Sequence, residues 1–81
     1  MIVREEDLDR LDSIFLALMC KKLSQDRSVD PNIAGVARNL MDEWMVLSER
    51  GVPPTLKEFE EIQKELAALK SRMVRFLAPF V

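Results

Sequence analysis

Residues 55–80 read TLKEFEEIQKELAALKSRMVRFLAPF, and the spacing of their apolar side chains predicts the fold class. Thr55 and Glu58 form a capping-box pattern, in which two side chains satisfy backbone N–H groups at the start of a helix. Apolar side chains then recur at alternating steps of three and four, the heptad repeat of a helix packed along its length against another helix. This heptad stripe consists of Phe59, Ile62, Leu66, Leu69, Met73, Phe76 and Phe80. We predict a helix over residues 55–78.

Turn signals divide the rest of the chain into two further helices. Asp30 and Pro31 are typical of a helix start, and Gly51 is typical of a helix end. We predict helices over residues 5–25 and 31–50, because their apolar residues follow helical spacing rather than the alternation of a strand. In the first of these we expect one wide buried stripe, made of Leu8, Leu11, Ile14, Phe15, Leu18, Met19 and Leu23. The predicted fold is all-α: a single domain over residues 1–81 in which a helix-loop-helix precedes a longer heptad-patterned helix.

The end of the third predicted helix is apolar on several faces, more than two short helices would cover. We therefore expect the heptad stripe to form an interface between copies of the chain, which would then act as a homo-oligomer. The alternative is a compact three-helix bundle whose C-terminal residues pack over its own core. The two alternatives place the same side chains against different partners.

Composition argues against catalysis. The 81 residues contain 12 Lys and Arg against 14 Asp and Glu, no His and a single cysteine, Cys20. The commonest general base and metal ligand is therefore absent, and the paired carboxylates lie on predicted solvent faces. We expect a protein that is not an enzyme, with no cofactor and no metal. An enzyme that uses clustered carboxylates and a metal remains a formal third possibility.

The sequence also favours a cytoplasmic protein that does not enter a membrane. Charged residues follow directly after Met1-Ile2-Val3, so no apolar segment of a secretion signal begins there. The longest unbroken apolar run, residues 14–20, has seven residues, whereas a membrane span needs about 20. Cys20 is then expected to be a reduced thiol.

Local charge is more informative than the net charge of −2. Basic residues gather around the first predicted loop, where the serines Ser24 and Ser28 and the N–H groups of the next helix could add hydrogen bonds to a phosphate. We predict that DNA phosphates bind to Lys21, Lys22, Arg27 and Arg38. The alternative is that the two lysines only complement the end of their helix.

Residues 22–43, KLSQDRSVDPNIAGVARNLMDE, resemble the small terminase subunits of short-tailed bacteriophages. The matching residues are Leu23, Pro31, Ala37, Arg38, Leu40 and Asp42. The resemblance implies a non-enzymatic DNA-packaging adaptor in the host cytoplasm, which assembles into a ring. Such an adaptor would bind double-stranded viral DNA and pass it to a large terminase ATPase.

A small helical protein-protein interaction module is the alternative function. It would resemble a phage inhibitor or an antitoxin-like adaptor and would hold a host protein with the apolar third helix. Salt-sensitive DNA binding separates this function from DNA packaging, because phosphate contacts weaken as salt rises.

Overall fold

The computed structural model describes residues 5–80, and these residues form helices without strands. The four α-helices are α1 (Glu5–Asp9), α2 (Ser13–Gln25), α3 (Pro31–Glu49) and α4 (Leu56–Leu77), and a 3-10 turn, Ala78–Phe80, follows α4. The all-α fold is therefore confirmed. Residues 1–3, on which the prediction about a secretion signal rests, lie outside the described residues. Within residues 5–80, no helix has both the length and the apolar character needed to cross a membrane.

The predicted helix over residues 5–25 is wrong as a single element, since it is divided into α1 and α2. Asp12 has extended backbone angles (φ −63°, ψ 147°) and interrupts the helical hydrogen bonds. The break allows α1 to pack against α4. Leu8 on α1 is consequently buried, and Lys70 Nζ on α4 donates a 2.6 Å hydrogen bond to the carbonyl of Asp9.

Helices α2 and α3 form an antiparallel hairpin. Trp44 Nε1, in the second half of α3, donates a 3.0 Å hydrogen bond to Ser13 Oγ at the start of α2. The loop end of the hairpin is fixed by Asp30, whose carboxylate accepts a 2.8 Å hydrogen bond from the backbone N–H of Asn32. At the far end, Gly51 adopts a φ of 74°, a left-handed conformation that favours glycine after a helix. The observed bounds of α3 agree with the prediction to within one residue.

Helix α4 packs against both α2 and α3 and completes the core. Its start lies where the capping-box pattern predicts it, and Thr55 Oγ1 accepts a 3.2 Å hydrogen bond from the backbone N–H of Glu58. Among the described residues the reciprocal bond to the Glu58 carboxylate is not formed. Two exposed ion pairs, Arg72–Glu43 and Arg50–Glu65, join α4 to α3 in an antiparallel orientation. The core side chains of the described residues come from all four helices: Leu8, Leu16, Cys20, Ala37, Leu40, Leu69, Met73, Val74 and Leu77.

The heptad stripe of α4 is divided between the core and the surface. Leu69 and Met73 are buried among side chains of the same chain, so in this fold they are not available to a second copy. Phe76 is half-buried and packs against the exposed Phe80, with ring centroids 5.6 Å apart. The N-terminal part of the stripe is less covered: Ile62 and Leu66 are half-buried and Phe59 is exposed. In this fold the predicted interface between copies cannot use Leu69 and Met73, because they belong to the chain's own core. For the other residues of the stripe the interface stays a prediction.

Candidate functional site

The four predicted DNA-binding residues lie around the loop end of the α2–α3 hairpin. Lys21 and Lys22 are in the last turns of α2, Arg27 is in the loop, and Arg38 is seven residues after the start of α3, about 10 Å along its axis. All four side chains are exposed, and among the described residues none of them forms an ion pair. We call Lys21, Lys22, Arg27 and Arg38 the basic end.

Hydrogen bonds inside the loop occupy both serine hydroxyls and one N–H group of α3 that the sequence suggested as phosphate donors. The Asp26 carboxylate accepts hydrogen bonds from the backbone N–H and the hydroxyl of Ser28, at 2.9 and 2.7 Å. These two bonds, with the charge of Lys22 adding to them, lower the pKa of Asp26. The Ser24 hydroxyl donates to the Lys21 carbonyl at 2.7 Å, and Asp30 caps the N-terminus of α3. A phosphate at the basic end would therefore be held by Lys and Arg side chains.

Helix α4 also carries basic residues, and two of them bond to other parts of the chain. Arg72 forms two hydrogen bonds with the Glu43 carboxylate, at 2.9 and 3.1 Å, and these bonds raise the pKa of Arg72. Lys70 holds the end of α1 through the carbonyl of Asp9. Two of the α4 cations thus connect helices within the chain, whereas the cations of the basic end face solvent.

A second candidate site is an apolar face of α2 that the rest of the chain leaves uncovered. Its exposed members are Leu11 at 37%, Ile14 at 47%, Phe15 at 53% and Leu18 at 54% of their full surface, and the half-buried Met19 adjoins them. We call Leu11, Ile14, Phe15, Leu18 and Met19 the α2 face. The prediction that these residues belong to one wide buried stripe is wrong for the four exposed ones.

The α2 face continues towards the C-terminal end of α4. A shallow groove is lined by Leu11, Phe15, Leu18, Met19 and Lys22. Met19 and Lys22 also line a neighbouring groove together with Leu77 and Phe80. The exposed ring of Phe80 therefore extends the apolar surface beyond α2, and Lys22 lies at its charged edge.

The described residues contain neither a cluster of metal ligands nor an exposed cysteine thiol. Between Glu5 and Phe80, no three His, Cys, Asp or Glu residues are placed to hold a metal ion. Cys20 is buried, and burial raises the pKa of its thiol to about 11. Since the thiolate is the nucleophilic form of cysteine, this thiol is protonated and unreactive near neutral pH.

Comparison with known proteins found no match: no family model matches the chain, and no curated protein or solved structure matches it significantly. Within residues 5–80, the basic end and the α2 face are two exposed surfaces that could bind a partner. The basic end is charged and polar, and the α2 face is apolar, so the two surfaces suit different partners.

Proposed function

We propose that this chain is a non-enzymatic adaptor that binds double-stranded DNA through its phosphate backbone and works as an assembly of several copies. The observation that carries the proposal is the basic end, with four exposed cations at one end of a hairpin and no ion pair to neutralise them within residues 5–80. The resemblance of residues 22–43 to small terminase subunits supports the same role. In that role the chain would present viral DNA to a large terminase ATPase.

One basic end alone would bind DNA weakly. Its four cations stand beside the carboxylates of Asp26 and Asp30, which leaves a local excess of two positive charges. Several copies on one DNA molecule multiply such weak contacts, because each further contact forms at high effective concentration. Contacts to phosphate alone position a protein on DNA without reading its sequence. We therefore expect DNA binding that depends on salt and on assembly, with little preference for sequence.

The test measures binding to a fluorescently labelled DNA duplex by fluorescence anisotropy, at a series of salt concentrations. A triple variant removes three cations of the basic end and leaves Lys22, which adjoins the α2 face. Each lost phosphate contact should lower the slope of log affinity against log salt by about 0.9. The expected result is weaker binding and a flatter salt dependence for the variant Lys21→Ala, Arg27→Ala and Arg38→Ala.

A matched control separates a binding site from net charge. Lys57, Lys64 and Arg75 on α4 are exposed, and none forms an ion pair among the described residues. Their joint replacement by Ala changes the net charge by the same amount and should leave most of the DNA affinity. Equal losses in the two triple variants would reject the basic end as the site, and no DNA binding by the unchanged chain at low salt would reject the function.

The second candidate function is a protein-protein interaction module, and the α2 face favours it. Three large apolar side chains of α2, and Leu11 just before it, are exposed there, and such a patch often marks a surface that another protein covers. This differs from the sequence prediction, in which the third predicted helix held the partner. A chain that binds no DNA at any salt concentration, but loses an interaction when Leu18 is changed, would be such a module.

A further inference from the structure

We propose that the α2 face is a self-complementary interface, on which the same face of a second copy packs with the two α2 helices antiparallel. This inference rests on the self-association in the proposed function, but it does not depend on DNA binding. It moves the interface from the heptad stripe of α4, whose centre is buried, to a helix whose apolar side chains are free.

The amount of exposed apolar surface suits an interface core. Leu11, Ile14, Phe15 and Leu18 together expose an area on the order of 400 Å², within the roughly 300–600 Å² of the largest apolar patch on a typical monomer, which is often functional. A standard interface covers about 800 Å² on each partner, of which the central part is apolar. The α2 face would supply that centre, and Phe80 and the polar side chains around both grooves would supply the rim.

The charges at the two ends of the α2 face identify a second copy as the occupant. Asp12 lies at the end next to Leu11, and its carboxylate makes no capping hydrogen bond with α2. Lys22 lies at the opposite end, where it lines the groove. Neither Asp12 nor Lys22 forms an ion pair within the described chain. The residue before α2 is thus acidic, and the residue at the other end of the face is basic; the charge of Lys22 also acts on Asp26 in the following loop.

An antiparallel arrangement pairs these opposite charges twice. Asp12 and Lys22 are equally distant along the chain from Ala17, so a two-fold axis at the level of Ala17 brings Asp12 of each copy beside Lys22 of the other. In such a dimer Lys22 belongs to the interface, and Lys21, Arg27 and Arg38 remain for phosphate. A parallel arrangement would instead place Asp12 beside Asp12 and Lys22 beside Lys22, which is repulsive. Two-fold symmetric interfaces of this kind, with the same patch on both subunits, are the commonest in homo-oligomers. In this arrangement the α2 face is therefore complementary to itself in charge.

Sedimentation equilibrium of the full chain without DNA tests the interface, over concentrations from about 1 to 500 µM. The expected result is reversible dimerisation that Leu18→Glu weakens by about tenfold or more, since it places a charge at the centre of an apolar contact. The matched control is Val46→Glu on α3, because Val46 is 59% exposed and lies outside the α2 face. This control should dimerise like the unchanged chain, and circular dichroism should show that both variants remain helical.

Charge reversal tests the orientation. Asp12→Lys and Lys22→Glu should each weaken the dimer by several-fold, because each creates two like-charge contacts. The double variant restores two opposite-charge contacts only if the helices are antiparallel, so its dimerisation should return towards that of the unchanged chain. A double variant weaker than either single variant would overturn the antiparallel arrangement.

The remaining outcomes separate this inference from the proposed function. A chain that stays monomeric over the whole concentration range, or equal effects of Leu18→Glu and Val46→Glu, would overturn the α2 interface. A chain that binds DNA and self-associates, but fails the Leu18 and charge-reversal tests, loses only the inference about α2. A chain that binds DNA but stays monomeric also loses the assembly in the proposed function. A chain that dimerises through α2 but shows no salt-sensitive DNA binding loses only the DNA-binding function.

Discussion

The α2 face and the C-terminal half of α4 have the same kind of sequence and opposite environments. Both carry large apolar side chains at steps of three and four, yet Leu69 on α4 is 2% exposed and Leu18 on α2 is 54% exposed. The difference lies in what surrounds each helix. The end of α4 lies between α1 and the α2–α3 hairpin, whereas α2 uses one side for its neighbours and leaves another side to solvent. Periodicity thus indicates which side chains share a face, and tertiary packing decides whether that face is covered.

Truncation of one leucine in each region gives the largest expected difference. Leu69→Ala should lower the free energy of unfolding by about 2–5 kcal/mol, because it removes buried methyl groups and leaves a cavity. Leu18→Ala should change it by less than about 0.5 kcal/mol in the monomer. Urea unfolding at low micromolar concentration, followed by the fluorescence of Trp44, measures both. Equal costs at the two positions would mean that the α2 face is covered within the chain.

The sequence predicts α3 and the start of α4 well because local chemistry specifies their ends. Asp30, Pro31 and Gly51 bound α3, and the Thr55 hydroxyl caps α4, so these signals do not depend on distant contacts. The division between α1 and α2 was not predicted. Asp12, a residue type that often precedes a helix, was the available signal, but the apolar spacing runs through it without interruption.

The two candidate sites also differ in how far the sequence predicts them. The clustering of Lys21, Lys22 and Arg27 follows from their nearness in sequence, so their position around one loop was predictable. The α2 face could not be identified, because its residues and the core residues Leu16 and Cys20 lie on one helix and are equally apolar. Which of them meet α3 and α4 depends on how three helices pack, and residue type alone does not specify that packing.

The reaction rates of two thiols compare the buried and the exposed sides of α2. Burial raises the pKa of Cys20 from 9.0 to about 11, so at pH 8 its thiolate population is about a hundredfold lower than that of an exposed cysteine. In the variant Leu18→Cys, a disulfide reagent should react in two phases. The thiol at the exposed position should react at least about a hundredfold faster than Cys20.

The measurement uses protein at micromolar concentration, so that a dimer does not shield the α2 face. Cys20 is present in every chain and is the internal control. The slow phase should accelerate about tenfold per pH unit between pH 8 and 10, because the folded thiol ionises only near pH 11. A single fast phase for both thiols would show that α2 is not held against the core.

The raised pKa of Cys20 also affects folding stability. The free energy of unfolding is unaffected below about pH 9 and decreases as the pH rises from 9 to 11, because the unfolded chain loses this proton first.

The smallest expected effect distinguishes the cations that connect helices from those of the basic end. Arg72→Ala removes an exposed ion pair with Glu43, so it should lower the melting temperature slightly, by about 1–3 °C in low salt. Arg38→Ala is the matched change, because both arginines lie within long helices and the gain in helix propensity is the same. The difference between the two melting temperatures therefore reports the ion pair, and 1 M salt should reduce it by screening. If Arg38→Ala destabilised the fold as much as Arg72→Ala, Arg38 would be holding the structure together and would not be free for a phosphate.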